Sequence, residues 1–346
     1  MSVQVGILGA TGAVGQRFIQ LLDDHPTFEL AALTASDESA GKPYREAAKW
    51  RVDTPIPVDI AEMTVRRTEP EAVPDDVDLL FSSLPSNVAV DVEEAFARDG
   101  YVISSNSSND RLAEDVPLTI PEINPDHLDL LEVQRDERGW DGALVKNPNC
   151  STITMIPPLA ALDEAFGLDR INVSTLQAVS GAGYSGVTSM EIIDNVLPHI
   201  SGEEDKMETE SRKLLGSFDG VEIDWHDVEV AASCNRVSTL DGHLENAFVD
   251  LDADDPEVSD VADAMREFPG VDLPSAPNQL IHVFDDPERP QPRMDRMRGQ
   301  GMQICVGGVQ STRRGVKFNC LAHNTVRGAA GASLLNGELL HENGYL

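Results

Sequence analysis

Basic residues are few in this chain of 346. Only 26 lysines and arginines stand against 60 aspartates and glutamates. Most of the bases are arginine; lysine is scarce. The net charge of −34 argues against nucleic acid as a partner, because phosphate backbones need a basic face. Cysteine is sparse as well. Cys150, Cys234, Cys305 and Cys320 are widely separated, with no CxxC pair and no histidine cluster beside them. Zinc and a disulfide framework are both poor readings, and no metal is expected. No apolar run reaches bilayer length, so no membrane partner is expected. The opening stretch MSVQVGILGA lacks a charged segment ahead of an apolar one and reads as a first strand instead of a signal peptide. A cytoplasmic protein with free thiols is the expectation.

What is present is acid along the whole chain, as in LDADDPEVSDVADAMREF and LLEVQRDERGWDGAL. A distributed acidic surface stays soluble where salt screens charge and repels itself where it does not. A merely acidic protein is the plainer account. At a charge of −34 the expectation is a protein of a high-salt organism. Hydrophobic residues make up 41%, enough for packed cores. The length suits two domains.

The first half alternates strand and helix. VQVGIL, FELAALTAS, VDLLFSSLP, YVISSN and GALVKNPN read as short strands, and a helix fits the segment from about Asn87 to Arg98. That alternation predicts a parallel, doubly wound, Rossmann-like sheet. After Cys150 the texture changes. INVSTLQAVSGAG, VEVAASCNRVSTLDGHLENAFVDL and GMQICVGGVQ look like longer, alternating strands, which predicts a second α+β domain on a mixed or antiparallel sheet. The last segment, HNTVRGAAGASLLNGELLHENG, reads as a helix returning to the first domain. The fold class expected is α/β, with one domain over 1–148 plus 324–346 and the other over 149–323.

Gly9, Gly12 and Gly15 form GATGAVG after a strand and before a helix. Such glycines allow a tight turn and close backbone approach, and the helix N-terminus presents N–H groups to a pyrophosphate. The spacing is GxxGxxG, not the commoner GxGxxG, and many glycine triplets are only turns. The strand–turn–helix setting favours a dinucleotide. The second strand runs into TASDESAGKPY, where an adenosine ribose would be met. Asp37 and Glu38 suit the hydroxyl of NAD; Ser36, Ser39 and Lys42 suit the phosphate of NADP. These residues leave the coenzyme open.

Cys150 stands in LVKNPNCSTITMIPPLAAL, where an apolar helix begins. A helix N-terminus stabilises a thiolate, and the local N–H groups could hold an oxyanion. A lone cysteine is more often a small buried hydrophobe. That is the expectation for Cys234, Cys305 and Cys320, which lie in strands. Cysteine chemistry also needs a base. Of eight histidines, His243 stands out: it follows a glycine in NRVSTLDGHLENAFV, seven residues after Arg236. On one extended strand the two would be about 20 Å apart, so a bend must bring them to one site. The imidazole could shuttle a proton and the guanidinium clamp a carboxylate. Arg236 could equally be a surface ion-pair partner.

Together, GATGAVGQRF, ASDESAGKPY, SSLPSNVA, SNSSNDR, PLTIPEINPDHL, NPNCSTI, QAVSGAGYSG, GEEDKMETE, CNRVSTLDGH and HNTVRGAAG resemble the aspartate-β-semialdehyde dehydrogenases, specifically their archaeal and fungal branch. The likeness runs nearly end to end, and NPNCST followed by QAVSGAGYSG and RV…GH is its specific part. The resemblance implies NADP-dependent reductive dephosphorylation of L-aspartyl 4-phosphate to L-aspartate 4-semialdehyde through a cysteine thioester. That step belongs to lysine, threonine and methionine biosynthesis.

The resemblance also implies roles. Cys150 would attack the acyl carbon, and His243 would be the general acid/base. Asn149 and Gln177 would position substrate, Gln177 within the catalytic set. Arg236 would hold the α-carboxylate and Glu203 the amino group. Arg111 and Lys206 would bind phosphate. Glu203 and Lys206 share a helix face, where a solvated ion pair is the commoner fate; Arg111 could be a surface loop charge. Coenzyme binding would fall to Gly9, Thr11, Gly12, Ala13, Val14 and Gly15 of the glycine loop, and to Ser36 and Ser39 after the second strand. Ser83 and Pro85 in SSLPSNVA, Ser180 and Gly181 in SGAGYSG, and Asn324 in HNTVRG would complete it. Relatives often carry arginine where Glu38 stands, and a carboxylate there repels phosphate. Ser36, Ser39, Lys42 and salt screening offset this, so NADP is expected, with NAD open. A homodimer or homotetramer is implied, pairing through the second sheet.

Malonyl-CoA reductase and N-acetyl-glutamyl-phosphate reductase would use the same cysteine and histidine. Arg236, Glu203 and Lys206 suit an amino acid carrying a phosphate and do not obviously need CoA. A non-catalytic dinucleotide-binding regulator would keep the glycine loop but would not need Cys150 at a helix start with His243 and Arg236. An adaptor protein would leave the whole polar set unexplained.

Overall fold

The computed structural model describes residues 2–184, 186–253 and 256–346. Six strands make the first sheet: β1 (Val3–Leu8), β2 (Phe28–Ala35), β3 (Arg66–Arg67), β4 (Leu79–Ser82), β5 (Val102–Ser105) and β6 (Ala143–Lys146). Their order is β3-β2-β1-β4-β5-β6, and every pairing is parallel. This is the doubly wound, Rossmann-like arrangement expected. Its strand order reverses at β1, and the crevice beyond the strand ends there is where such sheets bind ligands. Between the strands run α1 (Ala13–Leu22), α2 (Tyr44–Ala47), α3 (Val58–Glu62), α4 (Ser86–Arg98) and α5 (Leu130–Arg138). β4, β5 and β6 are buried throughout, as strands covered on both faces must be.

The second half opens with α6 (Thr152–Phe166) and β7 (Leu168–Gln177), followed by α7 (Ser189–Ile192) and α8 (Glu203–Leu214). A two-stranded ribbon, β8 (Ser217–Phe218) with β9 (Ile223–Asp224), precedes β10 (Glu229–Arg236), β11 (His243–Leu251) and α9 (Val258–Glu267). Then come β12 (Ile281–Val283), α10 (Pro292–Asp295), β13 (Ile304–Ser311) and β14 (Gly315–Ala322). The order β10-β7-β11-β14-β13-β12 is antiparallel at its centre and parallel at both ends. The expected mixed sheet is therefore present. Along β7 the burial alternates: Ile171 and Val173 are buried, Asn172 and Ser174 exposed. One face thus packs inward and the other is polar. α6 is buried all round from Thr152 to Leu162, the behaviour of a core helix.

After β14 a single π-turn (Val326–Ala330) leads into α11 (Gly331–Glu342). Leu334, Leu335, Leu339 and Leu340 of α11 share one core with Val5, Phe18 and Phe81. A Cβ at Gly337 would fall 2.7 Å from Leu79 Cδ2 and 3.0 Å from the Phe81 ring, so only glycine lets the helix approach the sheet this closely. The C-terminal segment thus returns to the first sheet. No helix among the described residues is long and apolar enough to cross a membrane.

An ion pair fixes this return. Arg327 donates from Nη1 to Glu122 Oε1 at 2.6 Å and from Nη2 to Oε2 at 3.0 Å, and both side chains are fully buried. Removing one partner of such a pair leaves an uncompensated buried charge. Arg327→Ala should cost about 3–5 kcal/mol in a urea unfolding measurement. A loss below about 1 kcal/mol would mean that Glu122 finds water instead.

Candidate active site

Three strand ends build the site. β10 runs parallel to β7 and β11 antiparallel to it, one on each side. Arg236 pairs with Gln177, and Leu244 with Leu176. The last residues of β7 and β10 and the first of β11 therefore meet at one sheet end. The chain between Arg236 and His243 crosses over the end of β7, held by Val237 N–H on the Gln177 carbonyl (3.0 Å) and Val179 N–H on that of Thr239 (2.9 Å). The separation along an extended strand never arises, because the stretch is two strands and a crossing loop. Gly181 lies against both side chains. A Cβ there would be 2.9 Å from Arg236 Nη1 and 3.4 Å from His243 Cε1.

Cys150 lies in the turn between β6 and α6, against the same sheet end. Its Sγ is 3.2 Å from His243 Nε2. On the other side of the ring, Nδ1 accepts the Ala178 N–H at 3.1 Å. An acceptor at Nδ1 leaves the neutral ring's proton on Nε2, aimed at sulfur. The same contact opposes a second ring proton. Burial lowers His243 to about 3, with Arg236 acting in the same direction and Glu203 against it. Burial raises the Cys150 thiol to about 12; Glu203 adds to this, and Arg236 and Arg111 oppose it. Both shifts favour a neutral thiol and a neutral imidazole at rest. The π-turn closes the far side, where Gly328 leaves no room for a Cβ beside Cys150. The helix start differs from expectation in one respect. Asn149 Oδ1 already accepts the N–H groups of Ser151 (2.9 Å) and Thr152 (3.3 Å), so those two cannot serve an oxyanion.

α8 supplies the rest. Glu203 Oε2 accepts from Asn149 Nδ2 (2.8 Å) and Gln177 Nε2 (3.1 Å), and Oε1 from Lys206 Nζ (2.8 Å). Burial alone would raise its carboxyl, but Lys206, Asn149 and Gln177 hold it below the ordinary value. This is no solvated surface pair. Two turns further, buried Glu210 accepts from Arg111 Nη1 (2.8 Å) and from the Asn149 N–H (2.6 Å). Lys213 donates to the carbonyls of Arg111, Ala113 and Val116 at 2.7–3.0 Å, pinning the loop that carries Arg111. Arg111 is buried, not a loose surface charge. Its Nε has no partner among the described residues, nor has Gln177 Oε1.

On the coenzyme side, Gly9 adopts φ +83, the left-handed region glycine tolerates. Its carbonyl accepts the Gly12 N–H at 3.1 Å, and a Cβ at Gly15 would collide with the Gly9 and Ala10 backbone. α1 starts after Gly12 with no side-chain cap and no acid in its first turn, so its free N–H groups fit an anionic pyrophosphate. Thr11 lies within this loop. Ser83 Oγ lies within hydrogen-bond distance of the Leu8 (3.1 Å) and Gly9 (3.2 Å) carbonyls, and Pro85 precedes α4. Ser36 and Ser39 form the turn after β2.

A cavity of about 270 Å³ joins the two sides. Ala13 and Val14 of the glycine loop, with Ser180, Gly181 and Asn324, share it with Cys150, Asn149 and Gln177. Arg111, Glu203, Lys206 and Arg236 complete its polar wall. Gly9, Thr11, Gly12, Gly15, Ser36, Ser39, Ser83 and Pro85 do not line it. Asn324 ties the rim together, donating to Ser180 Oγ and accepting the Gly242 N–H, both at 2.8 Å.

Sequence reasoning missed Glu210, Lys213 and Glu245. The first two repeat the Glu203 face of the helix, which periodicity alone could have flagged. Glu245 is buried on the same face of β11 as His243, beside Ser151 and Cys320, and burial raises its carboxyl well above the usual range. Cys234, Cys305 and Cys320 are buried within their strands.

Comparison with known proteins agrees with this geometry. A profile for the semialdehyde dehydrogenase NAD binding domain matches residues 4–131, and one for the semialdehyde dehydrogenase dimerisation domain matches 159–327. The chain is 51% identical to the aspartate-semialdehyde dehydrogenase of Methanothermobacter thermautotrophicus, over 98% of this chain and 99% of that one. It is 45% identical to the enzyme of that name from Schizosaccharomyces pombe, over 99% of this chain. The Candida albicans aspartate semialdehyde dehydrogenase, solved with NADP, superposes with a TM-score of 0.91 at 40% identity, covering all of both chains. The Vibrio cholerae aspartate semialdehyde dehydrogenase II, complexed with ASA, gives 0.79 at 26% identity over 99% of each chain.

The resting electrostatics are directly measurable. Alkylation of Cys150 by iodoacetamide in the ligand-free protein should climb roughly tenfold per pH unit through the alkaline range, since only thiolate reacts. It should show no plateau near neutrality. Glu203→Gln should shift that climb to lower pH by removing the neighbouring negative charge. A neutral-pH plateau in the parent protein would mean a preformed thiolate–imidazolium pair.

Proposed function

The chain belongs to the aspartate-semialdehyde dehydrogenase family, and from that membership we propose what each part of the site does. The reaction is the reductive dephosphorylation of L-aspartyl 4-phosphate to L-aspartate 4-semialdehyde, with NADP as coenzyme, in amino-acid biosynthesis. The observation that carries the assignment is the 3.2 Å contact of Cys150 Sγ with the buried His243 Nε2, with Cys150 lining a cavity shared with Ala13 and Val14 of the glycine loop.

Arg236 takes the substrate α-carboxylate and Glu203 its ammonium, as a guanidinium fork and a buried carboxylate suit. An ammonium on Glu203 neutralises the charge that raises the Cys150 thiol. Substrate binding thereby favours the thiolate that must attack, the thiol proton passing to water in the cavity that Cys150 lines. The sulfur adds to the acyl carbon, and the C–O bond to phosphate breaks. Phosphate departs toward Arg111, whose Nε is unpartnered among the described residues, and toward Lys206. The bound coenzyme's part is to supply hydride to the resulting Cys150 thioester. The tetrahedral oxygen then develops negative charge within reach of His243 Nε2–H, and its collapse to aldehyde returns the thiolate. Gln177 and Asn149 hold Glu203 and the substrate in register.

Residues 1–148 with 324–346 form the coenzyme domain in this reading, and 149–323 the catalytic and pairing domain. The return of α11 to the first sheet supports that division. The polar open face of the second sheet is the pairing surface of a homodimer. The charge of −34 fits a cytoplasmic protein of a salt-accumulating cell. The CoA-thioester and N-acetyl-glutamyl phosphate readings are not favoured, and a non-catalytic regulator leaves the Cys150–His243 contact without purpose.

Enzyme, L-aspartate 4-semialdehyde and NADP in concentrated KCl should give nicotinamide reduction that depends on inorganic phosphate. Cys150→Ala should abolish it while coenzyme still binds. Reduction without phosphate, or turnover by Cys150→Ala, would overturn the acyl-phosphate chemistry. Light scattering across a KCl series tests the assembly and the salt reading together. A dimer stable at molar KCl and lost at low salt is expected; a monomer at high salt, or indifference to salt, would refute the corresponding proposal.

A further inference from the structure

The loop after β2 leaves one question that the function depends on. A coenzyme bound at the glycine loop places its adenosine ribose at the end of β2. There the chain presents two carboxylates, Asp37 and Glu38, which repel a 2′-phosphate. We propose that Arg67, brought in by the neighbouring strand β3, is the cation that recognises the 2′-phosphate of NADP. The inference rests on the dehydrogenase reading above.

Backbone geometry places Arg67 there. The Thr34 carbonyl accepts the N–H groups of Gly9 (3.1 Å) and Ala10 (2.9 Å), so the end of β2 abuts the glycine loop. β3 pairs with that same end, Thr34 with Arg66 and Ala35 with Arg67. Thr68 locks the register, its hydroxyl lying 3.0 Å from Thr34 Oγ1 and 3.1 Å from the Ala35 carbonyl. The Ser36–Lys42 loop is fastened to the same strand by Gly41 N–H on the Val65 carbonyl (2.8 Å) and Val65 N–H on that of Lys42 (2.9 Å). Arg67 is thus the neighbour of Ala35, one residue before Ser36.

The side chains distinguish the candidates. Neighbours on a strand point to opposite faces, and Arg66 is spent on the Ala72 carbonyl at 2.9 Å. Lys42 Nζ is spent on the Glu38 carbonyl at 2.6 Å, where it holds the loop. Arg67 makes no hydrogen bond among the described residues. Its Nε stands 3.7 Å from Asp37 Oδ1, with both side chains mostly exposed. That contact is too long for a hydrogen bond, and an exposed pair of this kind contributes little. A guanidinium so placed keeps its fork of donors for a phosphate, which it matches in a bidentate way. Salt sharpens the arrangement. Near 1 M the screening length falls to about 3 Å, which weakens repulsion from Glu38 more than direct hydrogen bonding by Arg67.

The test is equilibrium binding of NADPH and of NADH to the full chain, by ligand fluorescence in molar KCl. Arg67→Ala should weaken NADPH roughly tenfold or more, the loss expected for a charged hydrogen-bonding partner, and leave NADH within about twofold. Arg67→Gln, which keeps the side chain's bulk, should show the same selective loss. Equal losses for both coenzymes, or unchanged NADPH affinity in both variants, would overturn the inference while leaving the dehydrogenase reading intact. Failure of the unmodified protein to bind either coenzyme would overturn both.

Discussion

α8 buries a charged face, and the site takes its shape from the need to satisfy those charges. Glu203, Lys206, Glu210 and Lys213 recur along one side of the helix, as three- and four-residue steps require. A buried charge left alone is costly, so Glu203, Glu210 and Lys213 are each tied to a segment that forms the site, while Lys206 pairs with Glu203 on the helix itself. Glu210 joins Arg111 to the Asn149 backbone. Lys213 gathers three carbonyls around Arg111. Glu203 orients Asn149 and Gln177. Without this helix the nucleophile's turn and the anion-binding loop would have no common support.

A second constraint acts on the nucleophile. His243 is gripped between a backbone N–H and a sulfur, which sets the tautomer, and burial favours an uncharged pair at rest. The cations nearby are balanced by carboxylates within the same shell. A protein with so acidic an exterior can then hold an anion-binding interior, because a buried charge feels its immediate partners far more than a screened surface.

The architecture was legible in the sequence where local pattern decides structure. Alternating apolar runs and helices specified the parallel sheet, GATGAVG its phosphate-facing turn, and the later alternating strands a mixed sheet. Cys150 was legible as a candidate nucleophile for a similar reason, since NPNCST opens an apolar helix. The parts played by Glu210, Lys213 and Glu245 were not: periodicity puts the first two on the Glu203 face, but a charged residue looks the same from the sequence whether that face meets solvent or a partner.

The sequence by itself determined the two-sheet plan, the glycine turn and the set of polar residues available for chemistry, since these follow from periodicity and residue type. Tertiary structure alone decided which of them meet. Arg236 and His243 come together because two strands flank β7 in opposite directions. Gly328 reaches Cys150 because a π-turn returns the chain across the domains. Arg67 stands beside Ala35 because β3 is the edge strand next to β2. Each is a contact between segments distant in sequence, set by strand order and packing, and no local pattern encodes it.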